Sequence, residues 1–186
     1  ETETDLLTIL NYHTARQADS ATCRLWEVAG AAHADAHLVG RMGANVGCPS
    51  PINTGPHHFV AKAALRSLDA WVRTGERPPR AARLETDDTP AFVRDGDGIA
   101  LGGIRTPLVD VPVATLSGEP VDTSSIICLL LGSTTAFDPA RLAALYPTPG
   151  AYLLAYTQAA DAAIAAGFVL PDDRAALLAA AQPGVI

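Results

Sequence analysis

Cysteines, basic residues and long apolar runs are all scarce in this chain, and each shortage argues against a class of protein. Three cysteines among 186 residues, Cys23, Cys48 and Cys128, are odd in number and have no C-x-x-C spacing. That pattern disfavours both a zinc cluster and a disulfide framework, and it leaves room for one bridge at most. A Cys48–Cys128 bridge is one reading, and buried free thiols that pack as small hydrophobes are the preferred one. Thirteen Lys and Arg stand against 20 Asp and Glu, a formal net charge of −7. A phosphate backbone is held by concentrated positive charge, so nucleic acid is not an expected partner. The longest apolar run, Ile126 to Leu131, is strand-sized and far short of the about 18 residues that span a bilayer. What remains, with 48% hydrophobic residues, is a chain able to bury one sizeable core.

The first 85 residues follow a strand–loop–helix rhythm. Leu6 to Leu10 is a short apolar run behind an acidic turn, and Cys23 to Val28 alternates as a strand does. Gly40 to Gly55 is rich in Gly, Pro and Asn and reads as a long irregular loop of the kind that often carries function. From His57 to Thr74, Phe59, Val60, Ala63, Ala64, Leu68, Trp71 and Val72 recur at helical spacing, with Lys62, Arg66, Asp69 and Arg73 mostly opposite. Gly75 and Pro78-Pro79 stop that helix.

The texture changes near residue 84. Ala91 to Arg94, Asp95-Gly96-Asp97-Gly98 and Ile99 to Leu101 predict a hairpin, since the central residues tolerate positive φ. The same acidic turn lacks the further ligands of a calcium loop. Val109 to Leu116, interrupted by prolines, predicts an edge strand or extended segment. Asp138-Pro139 caps a short helix through Tyr146, a longer helix covers about Pro149 to Ala166, and Pro171 opens a last one.

Chemistry concentrates near the start. Arg24-Leu25-Trp26-Glu27-Val28-Ala29-Gly30-Ala31-Ala32-His33 is a strand pattern, a glycine break and a histidine just past the strand's end. The acidic turn Glu1-Thr2-Glu3-Thr4-Asp5 precedes it, so a carboxylate and an imidazole both sit on strand-end loops. Acyl transfer by a hydroxyl needs that couple: the imidazole takes and returns the proton, and the carboxylate holds its tautomer. A nucleophile on a G-x-S-x-G elbow is missing, because Ser133 in Gly132-Ser133-Thr134-Thr135 has no second glycine and follows the histidine. His33, Asp35 and His37 have two ligands at helical spacing but no third, so no metal site is expected. Trp26 and Trp71 read as packing residues.

Four separated segments carry a family likeness: Ala15 to Asp19, Arg24 to Asp35, Leu101 to Pro107 and Leu131 to Asp138. In them the chain resembles the bacterial alpha/beta hydrolase domain-containing proteins. The resemblance implies an α/β fold, namely the C-terminal part of an α/β-hydrolase core in residues 1–85 with a family-specific hairpin and helical extension in 86–186. It implies His33 as general base and either Asp5 or Glu3 as the orienting acid, since Thr2 replaces the glycine of the usual G-x-x-D pattern. The nucleophilic serine would then lie in an N-terminal part of the same protein, the substrate would be a small ester-like molecule, and no cofactor is implied. Cys48 and Asn53 in the glycine-rich loop, and Arg105, are candidates for substrate contact, with loop packing and ion pairing as the competing roles. A hydrolase-fold protein that binds without turnover is the alternative.

Overall fold

The computed structural model describes residues 1–40, 47–121 and 125–186. Residues 41–46, including Gly43 and Asn45 of the glycine-rich segment, lie outside the described residues. At the centre are three extended pieces joined by single parallel bridges, Thr2 to Val28 and Val28 to Ile104. Hydrogen bonds from Ala29 N to Ile104 O (3.1 Å) and from Ile104 N to Glu27 O (2.7 Å) hold this layer. The strand expected over Cys23–Val28 pairs only at its end. The backbone of Leu25 is taken by side chains instead: its N–H donates to Asp19 and its carbonyl accepts from Arg83.

Beside this layer runs the expected hairpin. Within it Arg94 pairs with Ala100, and the segment before it joins through Leu84 with Gly102 and Thr86 with Phe92. Its turn is built on Asp95, whose Oδ1 accepts from the amides of Asp97 (2.9 Å) and Ile99 (3.0 Å). Asp97 instead holds Arg141 through both carboxylate oxygens at 2.7 Å. These acids therefore serve a turn and an ion pair. Leu84 and Thr86 place both sides of residue 85 in this layer.

Seven α-helices and two strands are found among the described residues. Helix α1 is Ala36–Val39 and α2 is His57–Thr74. Helix α3 is Pro107–Asp110, followed by β1, Ala114–Ser117. Helix α4 is Ile126–Leu131 and leads into β2, Ser133–Ala136, which pairs antiparallel with β1 in the register Ala114 to Ala136 and Ser117 to Ser133. Helices α5 (Pro139–Leu145), α6 (Pro149–Ala165) and α7 (Arg174–Ala179) complete the chain. Asp138 caps α5 by accepting from Arg141 N, and Thr148 caps α6 by accepting from Ala151 N, each followed by the proline that suits a first helical position.

Three expectations are corrected. The apolar run Ile126–Leu131 is helical: Cys128 and Leu131, three apart, face inward while Ile126 and Ile127 face out, a helical spacing that a short apolar run does not reveal. Val109–Leu116 is split, because Pro107 starts a helical turn and pairing begins only at Ala114. Finally, Cys48 and Cys128 form a disulfide across a separation of 80 residues, and only Cys23 is free. Helix α2 stands where its periodicity predicts, but Leu68 and Val72 are 51% and 78% exposed. Its first two turns supply the buried Phe59, Val60 and Ala63; Phe59 packs with Ala160, Ala163, Val169 and Leu177 of the C-terminal half.

The principal core likewise mixes early and late residues: Leu6 and Ala29 meet Leu84, Phe92, Ile99, Val109 and Leu116. Gly30 lies beside it at φ +68°, where a Cβ would come within 2.4 Å of Val109 Cγ1. Only glycine lets the chain leave the parallel layer there and run on to His33. No helix among the described residues is long and apolar enough to cross a membrane.

The disulfide clips the glycine-rich loop to α4. Replacing both Cys48 and Cys128 by serine is expected to lower unfolding free energy by about 2–4 kcal/mol in urea titrations, since an 80-residue loop is no longer closed in the unfolded chain. A loss below about 0.5 kcal/mol contradicts a stabilising clip.

Candidate active site

The acidic turn does not continue as a strand but winds into a π-helical turn over Thr4–Thr8. This brings Asp5 against His33, with Asp5 Oδ1 2.6 Å from His33 Nδ1. The other carboxylate oxygen accepts from Thr2 Oγ1 (2.7 Å) and Thr2 N (3.1 Å). Thr4 holds the imidazole's own backbone: its Oγ1 accepts from His33 N (3.2 Å) and donates to Gly118 O (2.6 Å). Two threonines therefore fix the two partners from either side of the turn.

Burial alone would raise the Asp5 carboxyl, but hydrogen bonds from His33 and Thr2 outweigh it and hold the group below its ordinary pKa. It is the ionised form that the site favours. The His33 side chain is 48% exposed, and among the described residues no hydrogen bond engages its Nε2. An imidazole held at Nδ1 by a carboxylate and open at Nε2 can accept a proton from a group placed before it.

Glu3 points elsewhere. Its carboxylate is sealed from solvent, with Oε1 accepting from Gly30 N (2.6 Å) and Oε2 from Gly118 N (3.0 Å). Ser117 Oγ and Arg94 Nη2 each lie 3.3 Å from Oε2, and Arg94 continues to Glu119 at 2.6 Å. Burial raises the Glu3 pKa, against the pull of Arg94 and the two amides. The structure therefore brings Asp5, and not Glu3, into contact with His33.

The candidates for substrate contact have their own partners. Asn53 is buried; its Nδ2 donates to Gly30 O (3.0 Å) and Ser117 O (2.9 Å), and its Oδ1 accepts from Gly55 N (2.7 Å). Arg105 pairs with Asp110 at 2.5 Å and caps the carbonyls of Ala100 and Val109. Cys48 has its sulfur in the disulfide and lies on the wall of an open cavity of about 490 Å³ shared with Ala36 and Pro51. Asp35, two residues past His33, caps α1 through Leu38 N (2.9 Å), and the His37 ring stacks on His58 at 3.7 Å. Among the described residues no group of three His, Cys, Asp or Glu side chains is arranged to hold a metal.

Several supporting residues escape a motif reading. Arg16 forks onto Glu27 with both contacts at 2.8 Å, and Glu27 also accepts from Leu84 N, so a buried carboxylate ties the second extended piece to the hairpin. Thr2 acts on Asp5 three residues away, whereas Thr4 and Arg94 reach Gly118, His33 and Glu3 across long stretches of chain. One signal was present in the sequence: a threonine on each side of Glu3, alternating with the acids.

A carboxylate-held histidine at a strand-end loop, beside a small parallel layer, is the arrangement of the α/β-hydrolase class. The family described as "Alpha/beta hydrolase domain" matches residues 1–179, and the chain belongs to it. No curated protein and no solved structure matches the chain.

The stacked pair carries a pH dependence of its own. Burial, then the His37 ring and Lys62, push the His58 pKa from 6.5 down to about 4, with Asp35 and Asp173 pulling the other way. The unfolded chain takes up a proton near pH 6.5 while the folded one holds His58 neutral, so this contribution to stability is present at neutral pH and lost as pH falls toward 4. Between pH 7 and 4.5, His58→Phe is expected to reduce the acid-induced loss of unfolding free energy by about 1–2 kcal/mol in urea titrations, a figure discounted for partial exposure. Parallel curves for variant and wild type contradict it.

Proposed function

We propose that this chain supplies the acid and base of a serine hydrolase that cleaves an ester-like acyl bond in a small molecule. The observation that supports the reading best is the 2.6 Å contact between Asp5 Oδ1 and His33 Nδ1, with Nε2 left open. In this reading His33 is the general base and acid, Asp5 orients it, and Glu3 serves the frame. Cys48, Asn53 and Arg105 shape the surroundings through their own bonds. The 186 residues are taken as the C-terminal part of the hydrolase, and the nucleophilic serine comes from an N-terminal part, since no G-x-S-x-G elbow occurs among them.

In this reading His33 carries the proton through both halves of the cycle. Nε2 removes the proton of the serine hydroxyl as the oxygen attacks the acyl carbon, and the imidazolium formed is stabilised by the Asp5 carboxylate. The leaving alkoxide takes that proton from Nε2, and the acyl group stays on the serine. Water then gives a proton to Nε2 while its oxygen attacks the acyl carbon, and the serine oxygen recovers the proton as the acid is released. No cofactor and no nucleic acid enters the cycle. The same missing elbow is what favours the second reading, a protein that binds a small molecule on this fold without turnover.

A fluorophosphonate probe applied to the protein comprising these residues and its N-terminal part is expected to label one serine. His33→Ala and Asp5→Asn should each slow ester hydrolysis by about 10⁴-fold or more. Absence of labelling, or labelling and turnover unchanged by His33→Ala, favours the binding protein. The 186-residue chain alone is expected to hydrolyse a p-nitrophenyl ester no faster than its His33→Ala variant; a clear excess over that control contradicts a nucleophile supplied from elsewhere.

A further inference from the structure

A cleft of about 330 Å³ lies between the antiparallel β1–β2 pair and the helices α5 and α6. Neither His33 nor Asp5 is on its walls. Its floor is made of Leu116, Leu142, Tyr152 and Tyr156, all buried, and its sides include Val113 and Phe137. The volume is that of a small-ligand site, about 300–1,000 Å³, and the walls have the composition such sites share.

Three features define the occupant. First, among the described residues no charged side chain lines the cleft. Arg141 of α5 is turned onto Asp97, so its charge is neutralised away from the cavity. An ionised ligand would lose its hydration here without gaining a counter-charge. Second, the tyrosines present rings, and each hydroxyl has one backbone partner. Tyr156 Oη donates to Leu177 O (3.2 Å), and Tyr152 Oη accepts from Gln182 N (3.1 Å). Burial raises the pKa of both, in keeping with a wall of low polarity. Third, the polar groups at the rim are neutral. Thr134 Oγ1 donates to Ile52 O (2.9 Å), so Thr54 Oγ1, 3.3 Å away, is the donor of the bond the two threonines share, and its oxygen is left to accept from a ligand hydroxyl. Gln182, exposed at the mouth, has a side-chain amide with no hydrogen bond among the described residues.

We propose that this cleft is a second binding site, distinct from the Asp5–His33 pair, for a neutral and mainly hydrocarbon small molecule that carries a single hydroxyl or carbonyl end. The hydrocarbon part fills the space over Leu142 and the tyrosine rings. The polar end meets Thr54 or Gln182 at the rim. This assignment does not depend on acyl transfer, because none of its wall residues takes part in that chemistry.

Calorimetric titration of the 186-residue chain with octan-1-ol, octanoate and octylammonium at neutral pH tests it. Octan-1-ol is expected to bind saturably at one site and at least about tenfold more tightly than either ion. Ala136→Trp and Val185→Trp place an indole at exposed positions on the rim, where folding tolerates it, and far-ultraviolet circular dichroism reports whether each variant keeps its fold. At least one folded variant should weaken octan-1-ol binding by about tenfold or more. Absence of saturable binding, equal affinity for alcohol and ions, or unchanged affinity in both folded variants overturns the proposal.

Discussion

A carboxylate sealed inside a protein must find donors for its oxygens, and the way Glu3 finds them fixes the geometry around it. Its oxygens are held by the amides of Gly30 and Gly118 and by Arg94, which belong to the segment leading to His33, the end of β1 and the hairpin. One side chain thus joins three parts of the chain that are distant in sequence. Removing any donor would leave part of a buried carboxyl group unanswered, a penalty well above that of an ordinary surface bond. Gly118 is required at this point, because a Cβ would fall 2.4 Å from Ala31 O and 2.5 Å from Glu3 Cβ. With Glu3 anchored, Thr2 and Thr4 fall on either side, and Asp5 is delivered to His33.

Asp5 stands at the G-x-x-D position, but Thr2 in place of the glycine keeps Glu3 as its rival, and the fold gives the two acids opposite tasks. Both lie within reach of a histidine on the next strand-end loop, and sequence spacing offers no means of choosing between them. The choice comes from the π-helical turn over Thr4–Thr8 and from donors at Gly118 and Arg94, more than 90 residues away. Local signals did better where the controlling forces are local. Helix α2 keeps its limits of His57 and Thr74 because a periodic face, a left-handed Gly75 and the following prolines all act within the segment. The Asp95 turn and the Asp138 and Thr148 caps are local in the same sense. The disulfide, the helical state of Ile126–Leu131 and the side-chain capture of the Leu25 backbone depend on what the fold brings alongside, and no window of sequence contains that.

The molecule separates its two kinds of site by their polarity. Around His33 the surroundings favour charge: Asp5 is held ionised, the imidazole is half exposed, and threonine hydroxyls fill the hydrogen-bond demand. The cleft above β1 and β2 favours neutrality, with each tyrosine hydroxyl holding a backbone partner and, among the described residues, no ion on its walls. Asn53 links the neighbourhoods, since its amide binds the backbone of Gly30 before His33 and of Ser117 at the end of β1. Family membership sets the frame, and the chemistry follows from the side chains placed on it.

The central claim is that Asp5, and not Glu3, holds His33 through Nδ1. Proton nuclear magnetic resonance of ¹⁵N-histidine-labelled chain reads that bond directly. A short imidazole–carboxylate hydrogen bond gives a far-downfield Nδ1–H resonance, which the account predicts to be present for His33, abolished by Asp5→Asn and retained in folded Glu3→Gln. A resonance that survives Asp5→Asn, or one lost in a folded Glu3→Gln variant while Asp5 is intact, would contradict the account.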